Sequence, residues 1–501
     1  MDQVLLCLDS GTTAVKAAAF DGRGRMIASS ERPNGALRRE GARVEQDMEV
    51  TRAEALAVLR DCVAQLSVPV ARLVSGLIIT GQGDGLWPVD AAGQPVGRAL
   101  TWLDGRARGL VTELAPALDA VQAITGSRPT AASASLQLLW LQRNEPEQLA
   151  RIAHALRAKE WLFLSLTGRV AGEPTAALPV WGNWRDGQLA AGVEQALGLT
   201  RGLALLPEFQ PVGACRAGLA ADIGLPLGLP VLLGPGDVQS TLIGLGLGSR
   251  PGVARASIFG TSSIHACLHH DPASMAEAPP GAMVQQFALG PGWLCFHPSF
   301  NGATLLQHLA RQFADLPAPA PPRYSGLILH PFFEPGGERS PWTDPHATGA
   351  LLGLTAATTP GEIAWAGREA LAFVARHSHA LLGPEPGALS LGGGLAGDRH
   401  FAQFLAAATG YEVQLSPGGH AGLRGLAAIG ARFLLGEELD TIAARWIGSP
   451  TETVGPQPAE ITRYAAQKYA LFAALVEAIR PHWPALADLQ AQAEPLARRP
   501  Q

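Results

Sequence analysis

The chain has 501 residues, more than one ordinary hydrophobic core accommodates, so two or more domains are expected. Charged residues are 16% and the net charge is −5, which argues against an electrostatic nucleic-acid binder and against a basic membrane-surface helix. Cys7, Cys62, Cys215, Cys267 and Cys295 are scattered with no CxxC, so a reduced, cytoplasmic protein is expected.

The N-terminus carries Asp2 and an apolar run of only Val4 to Leu8, unlike a secretory signal, and no apolar stretch is long enough to span a bilayer. That run reads as a buried strand. It ends in DSGTTAVK, an aspartate followed by a turn of Gly11, Thr12 and Thr13. AVKAAAF (14–20) reads as a second strand, DGRGR as a turn and MIASSE as the start of a third. Residues 48–66 have helical spacing, and LVSGLIITGQGDG (73–85) reads as a strand running into a glycine-rich end. A hairpin turn at AAGQP precedes a strand expected to end at Trp102. LQLLWLQRNEP (136–146) reads as a helix stopped by proline, and KEWLFLSLTG (159–168) as a helix capped by Gly168.

PVLLGPGDVQSTLIGLGLG (230–248) repeats the theme of apolar strand, glycines, one aspartate and a helical pattern. SRPGVA (249–254) is the best domain boundary. ARASIFGTSSIHACL (254–268) then restates the opening motif as strand, Gly-Thr-Ser-Ser, strand. LSLGGGLAGDRHFAQFLAAATG (389–410) reads as strand, triple glycine and a helix with Phe401, Phe404 and Leu405 on one face. RYAAQKYALFAALVEAIR (463–480) reads as a packing helix, followed by a frayed end. The organisation is a pseudo-duplicated α/β protein.

Glycine lets backbone N–H groups approach a phosphate closely, and threonine and serine hydroxyls add neutral donors. Each turn alone could be an ordinary hairpin; two in matching contexts, with GGG before a helix, favour nucleotide binding. No GxxxxGK[ST] is present, so this is not a P-loop enzyme. Asp237, in a glycine turn after an apolar strand, can accept a proton from a substrate hydroxyl as it attacks phosphorus. It can equally be an N-cap of the following helix. The histidines offer no metal spacing: His269 and His270 precede Asp271 and Pro272, and His377 and His379 are two apart. No GxSxG appears.

Taken in order, DSGTTAVK, TGQGDGLWPVDAAGQPVGRALTWLDGRA, KEWLFLSLTG, GPGDVQS, IFGTSS, HPFFEPGGERSPWTDPHATGALLGL and LGGGLAGDRHFAQFLAAATGYEV resemble the FGGY carbohydrate kinases of the actin-like ATPase superfamily, across residues 3–435. The resemblance implies two actin-like (ribonuclease H-like) α/β domains with mixed central sheets, flanking helices and an interdomain cleft. The expected division is 1–249 on the sugar or polyol side, 250–440 on the nucleotide side, and a helical tail at 441–501. The implied reaction uses ATP and Mg2+. Asp9 would sit by the Mg2+–phosphate cluster, with Asp237 as general base also near the metal. Thr12, Thr13, Lys16, Gly260, Thr261, Gly302, Gly393, Gly394 and Gly397 would line the nucleotide. Gln82, Gly83, Asp84, Trp102, Asp104, Asp237 and Asn301 would face the acceptor. The chain departs from many relatives in GGHAGLRGLAAIGA, with His420 and Arg424, and in Leu306, where some carry a glutamine.

GQGDG followed by W-L-D-x-R-A most resembles the erythritol kinases, and GQG also occurs in L-xylulose-type kinases. A carboxylate at Asp84 suits hydroxyl hydrogens, and Trp102 an apolar wall for C–H faces. Asp84 could instead be a strand-end turn residue, and Trp102 and Trp87 ordinary core. Trp181 and Trp184 either cover the pocket or pack an insertion. A four- or five-carbon polyol, erythritol first, is the expected acceptor, with a ketopentose such as L-xylulose as the alternative. A different class of reading is an actin-like ATPase driving partner binding, but no β-rich pattern follows the ATPase-like part. A sugar sensor without catalysis is disfavoured by Asp9, Thr12 and Asp237. Family members are often dimers, so a homodimer is the assembly to look for.

Overall fold

The computed structural model describes residues 3–271, 275, 277–313, 321–334, 337–416 and 419–497. Asp2, Pro272, Pro335 and Gly336 of the HPFFEPGGERSP stretch, Gly418 and the last four residues, all used in the sequence reading, lie outside them.

Two mixed sheets organise the molecule. The first contains β1 (Val4–Ser10), β2 (Ala14–Asp21), β3 (Met26–Pro33), β4 (Val74–Gly81), β5 (Arg216–Gly218) and β6 (Pro230–Leu233), in the order β5-β6-β4-β1-β2-β3. β1, β2 and β3 form an antiparallel meander, while β4 runs parallel to β1 and β6 parallel to β4. Val4 to Leu8 have no solvent exposure. A strand covered on both faces needs such an unbroken apolar run. On one side lies α1 (Met48–Ala64), N-capped by Asp47, whose side chain accepts from the N–H of Val50.

The second sheet contains β7 (Val253–Phe259), β8 (Ser263–His269), β9 (Met283–Gln286), β10 (Trp293–Ser299), β11 (Ala388–Gly393), β12 (Val413–Leu415) and β13 (Glu452–Val454), in the order β9-β10-β8-β7-β11-β12-β13. Again a meander, β7, β8 and β10, is continued by parallel strands, β11 and β12. The duplication read from the paired glycine-hydroxyl turns therefore extends to strand order and direction. The hairpin expected at AAGQP is present, with Asp90 N–H donating to Gln94, but the strand after it stops at Leu100 and Trp102 lies in the following turn. Pro146, expected to stop a helix, also starts the next one.

Two helices cross between the sheets. α2 (Asp237–Gly244) follows β6 of the first sheet, yet Leu242 and Leu247 share a buried cluster with Ala256, Ala266 and Leu268 of the second. α3 (Ala421–Phe433) follows β12 of the second sheet and lies on the first, where Gly430 meets Ile78 and Leu5. The two helices touch through glycine. Side chains at Gly244 or Gly425 would run into the backbones of Ala421 or Ser240. The closing helix, α4 (Ala459–Ile479), packs through Ala465, Phe472 and Val476 and carries the buried Lys468–Glu369 ion pair.

Candidate active site

A cavity of about 190 Å3 opens where the two sheets face each other. One wall is Thr12, Gln82, Gly83, Asp84, Trp102, Gly236 and Asp237; the other is Ser262, Ile264, Met283, Phe296, Phe300 and Arg339. Thr12 follows β1, Gln82 follows β4 and Gly236 follows β6, so the first wall is built from the carboxyl ends of three parallel strands. That is where open α/β sheets leave a crevice for ligands.

Asp237 is the first residue of α2; Gly236 occupies the cap. The N-cap alternative therefore does not apply; among the described residues its Oδ1 accepts from one helix N–H, that of Val238 at 2.9 Å. Burial pushes its carboxyl up to about 7, and the charges of Asp9 and Asp84 add to the rise against N–H donors at Val238 and Gly83. Asp9, at the end of β1, is pushed up to about 6 by burial, partly offset by Lys16. Lys16 stands directly opposite Asp9 on β2, with its ammonium 3.4 Å from Glu31. Asp9 Oδ1 is buried and has no hydrogen-bond partner, and its other oxygen lies against Gly422 at the start of α3.

The polar side of the cavity contains Gln82 and Asp84. Gln82 donates to Gln46 at 2.9 Å, leaving its own buried oxygen without a donor. Trp102 lines the cavity and is fixed by its indole N–H, which donates to Thr12 Oγ1 at 2.7 Å. Trp87, Trp181 and Trp184 are core. Trp87 and Trp181 are fully buried, and Trp184 packs edge-on to Trp293. The helix Pro174–Trp181 nevertheless supplies Ala176 and Pro179 to the lining.

Two residues expected to face the acceptor do not reach the cavity. Asp104 is buried, and its oxygens accept from Val44 N–H at 2.9 Å and from the guanidinium of Arg106. Asn301 is also buried. Its amide donates to Glu338 at 2.8 Å, and its Oδ1 accepts from the N–H groups of Phe333 and Glu334. Both side chains hold loops together, and neither is among the residues lining the cavity.

Of the residues expected on the nucleotide side, Gly260, Thr261, Gly302, Gly393, Gly394 and Gly397 group around the carboxyl end of β7, whereas Thr12, Thr13 and Lys16 belong to the first sheet. Gly260 and Thr261 form the turn between β7 and β8. A Cβ on Gly302 would come within 2.5 Å of the Ser262 backbone and 2.6 Å of Gly260 O, so only glycine fits. Gly393, at φ 83°, presses on the carbonyl of Phe259, and Gly394 begins the turn that Gly397 ends. Thr13 is exposed beside Thr12 in the first turn. His420, at φ 56°, is the N-cap of α3, and Arg424 reaches the Trp446 carbonyl. Leu306 packs on the core cluster of the second sheet.

Three residues without an assigned role in the sequence reading shape the site. Arg339 lines the cavity, its guanidinium 3.6 Å from Asp84. Glu338 is buried and accepts from Ser299 Oγ, the N–H groups of Phe300 and Arg339, and Asn301, so it fixes the second wall. Lys159 holds the turn before Asp237 from behind through Gly234. GERSP and KEW both stand in the sequence as motifs, but nothing local to either says which element it braces.

The donor set fits a divalent cation bound with phosphate. Asp9 offers an unpartnered buried oxygen and Asp237 a second carboxylate, and Mg2+ characteristically takes one or two carboxylates plus waters and phosphate oxygens. Among the described residues, no group of three or more His, Cys, Asp or Glu is placed to hold a metal ion. No helix among them is long and apolar enough to cross a membrane.

The FGGY family of carbohydrate kinases matches by its N-terminal domain over residues 4–244 and by its C-terminal domain over 256–434. The erythritol kinase of Brucella abortus is 30% identical over 524 residues, covering 97% of this chain and 98% of that protein. The xylulose kinase of Streptomyces coelicolor is 30% identical over 463 residues, covering 88% and 90%. Among solved structures, a ligand-bound xylulose kinase from Lactobacillus acidophilus superposes with a TM-score of 0.85 at 20% identity, covering 97% of this chain and all of that one. With both family domains matched across paired mixed sheets, the chain belongs to the FGGY family of carbohydrate kinases, enzymes that phosphorylate a sugar or polyol with ATP as donor.

Proposed function

We propose that this chain phosphorylates a hydroxyl of erythritol or another four- to five-carbon polyol. The observation that carries the reading is Asp237, a carboxylate raised to about 7 at the floor of a small cavity walled by Gln82, Asp84 and Trp102. The cavity falls below the roughly 300–1,000 Å3 of sites for drug-sized ligands. The 30% identity to an erythritol kinase along 97% of the chain supports the acceptor. Residues 1–249 then carry the acceptor side, 250–440 the nucleotide side and 441–501 the tail. Five free, buried cysteines support a cytoplasmic setting. The family resemblance supports a homodimer.

Asp237 takes the acceptor proton as the hydroxyl oxygen attacks the transferred phosphorus, and the leaving oxygen stays on ADP. Gln82 and Asp84 orient the other hydroxyls, and Trp102 covers the carbon chain. Thr12, Thr13, Lys16 and the turns at Gly260, Thr261, Gly302, Gly393, Gly394 and Gly397 hold the nucleotide. Asp9 and Asp237 would hold Mg2+, which when bound neutralises phosphate charge. The two walls exclude water around the acceptor.

Measuring ADP release with tetritols, pentitols and ketopentoses tests the reading. Highest kcat/KM on a four- or five-carbon polyol supports it. Preference for a ketopentose such as xylulose replaces the acceptor. ATP hydrolysis indifferent to every sugar overturns the kinase reading and favours an ATPase that drives a partner.

A further inference from the structure

Asp84 and Arg339 face each other across the cavity from opposite walls. Their nearest atoms, Oδ2 and Nη2, are 3.6 Å apart, beyond hydrogen-bond distance. Among the described residues, no protein group donates a hydrogen bond to the Asp84 carboxylate and none accepts one from the Arg339 guanidinium. Their side chains are only 16% and 13% exposed. Nearly buried charged groups normally satisfy their hydrogen bonds within the protein. Arg339 is also held in place: its backbone N–H donates to Glu338 at 2.7 Å, and its guanidinium lies over the Phe300 ring at 5.5 Å. Among the described residues it is the one cationic side chain lining the cavity. The two charges thus form a loose ion pair at the cavity wall whose hydrogen-bonding positions are open to a ligand.

We propose that Asp84 and Arg339 together form the specificity site for the acceptor hydroxyls that are not phosphorylated, and that the charge balance of the pair makes the enzyme select neutral polyols over sugar acids. A hydroxyl placed beside the pair on its cavity side donates to Asp84 and accepts from Arg339, and a neighbouring hydroxyl reaches a second guanidinium N–H. A terminal carboxylate on the acceptor pairs with Arg339 but meets Asp84 as a like charge. Asp84 thus rejects the acid while Arg339 by itself would attract it. The proposal rests on the reading of the chain as a kinase of neutral polyols.

The test uses the full-length protein and compares kcat/KM for the best neutral acceptor with that for the aldonic acid of the same carbon count. Wild type, Asp84→Asn, Arg339→Gln and Arg339→Lys are assayed, with KM for ATP and the unfolding midpoint measured for each. Asp84→Asn is expected to raise the acid-to-neutral ratio at least 100-fold. Arg339→Gln is expected to raise KM for the neutral acceptor at least tenfold with ATP KM unchanged, and Arg339→Lys to recover part of that loss. An acid-to-neutral ratio unchanged by Asp84→Asn, or an acceptor KM unchanged by Arg339→Gln, overturns the proposal. So does a wild type that prefers the acid. If wild type prefers a ketopentose, the polyol reading falls, while the same criteria applied to that neutral sugar decide on the pair. Should Arg339→Gln fail to fold, the Arg339→Lys and Asp84→Asn results decide.

Discussion

The ammonium of Lys159 donates to the carbonyl of Gly234 at 3.2 Å, three residues ahead of Asp237. The same ammonium is paired with Glu173, and neither side chain has any solvent exposure. Glu173 accepts in turn from the N–H and hydroxyl of Thr175. From the other side, Thr80 donates its hydroxyl to the carbonyl of Pro235. The GPGD turn is held by two buried side chains that never touch the cavity.

Removing Lys159 leaves Glu173 buried without its cation. Lys159→Met is expected to cost about 3–5 kcal/mol of stability. Urea unfolding measures this directly. The Lys159→Met/Glu173→Gln pair should recover part of the loss while kcat stays low, because the Gly234 carbonyl still lacks its donor. A double variant with wild-type kcat would show that the turn needs no brace.

Asp237→Asn keeps the size of the side chain and removes the carboxylate proposed as base. General-base assistance is worth about 10²–10⁴-fold, and turnover should fall by that range. ATP affinity, read by calorimetric titration without Mg2+, should change little, because the nucleotide contacts proposed for Thr12, Thr13, Lys16 and the glycine turns do not include Asp237. Near-wild-type turnover would mean that the base lies elsewhere.

The raised carboxyls make stability and activity respond oppositely to pH. Unfolded aspartates ionise near pH 3.9, about the reference value, whereas Asp9 and Asp237 hold their protons to about 6 and about 7 in the folded protein. Between these limits the folded state binds more protons, so its stability falls as pH rises. The ligand-free protein should therefore lose stability from pH 5 to pH 8, and Asp237→Asn should lose less. Acceptor kcat/KM should rise through about pH 7 as Asp237 ionises. Unfolding and initial-rate series over this range check both, and a flat rate profile would contradict the role of Asp237.

Gly302→Ala introduces a methyl group within 2.5 Å of the Ser262 backbone. The turn at Gly260 and Thr261 must move, and KM for ATP should rise about tenfold, equivalent to about 1.4 kcal/mol. Acceptor KM should stay within about twofold. An effect confined to the acceptor would assign this turn to the other substrate.

Much of the architecture is written in short stretches of the chain, because its causes are local. The buried run Val4–Leu8, the turn at Gly11–Thr13 and the repeat of that pattern at β7 and β8 specify strand, turn and strand wherever the rest of the chain goes. Gly168 ends its helix at φ 72°, as a C-cap glycine does. The position of Asp237, after an apolar strand and at the start of a helix, is equally readable. What each polar group does depends on partners far away in the chain, and only folding brings those together. Asp104 and Asn301 look like acceptor ligands by position, but Val44, 60 residues from the first, and Glu338, 37 residues from the second, take up their hydrogen bonds. Asp84 meets Arg339 because two separate sheets close on one cavity, and no sequence spacing encodes that meeting.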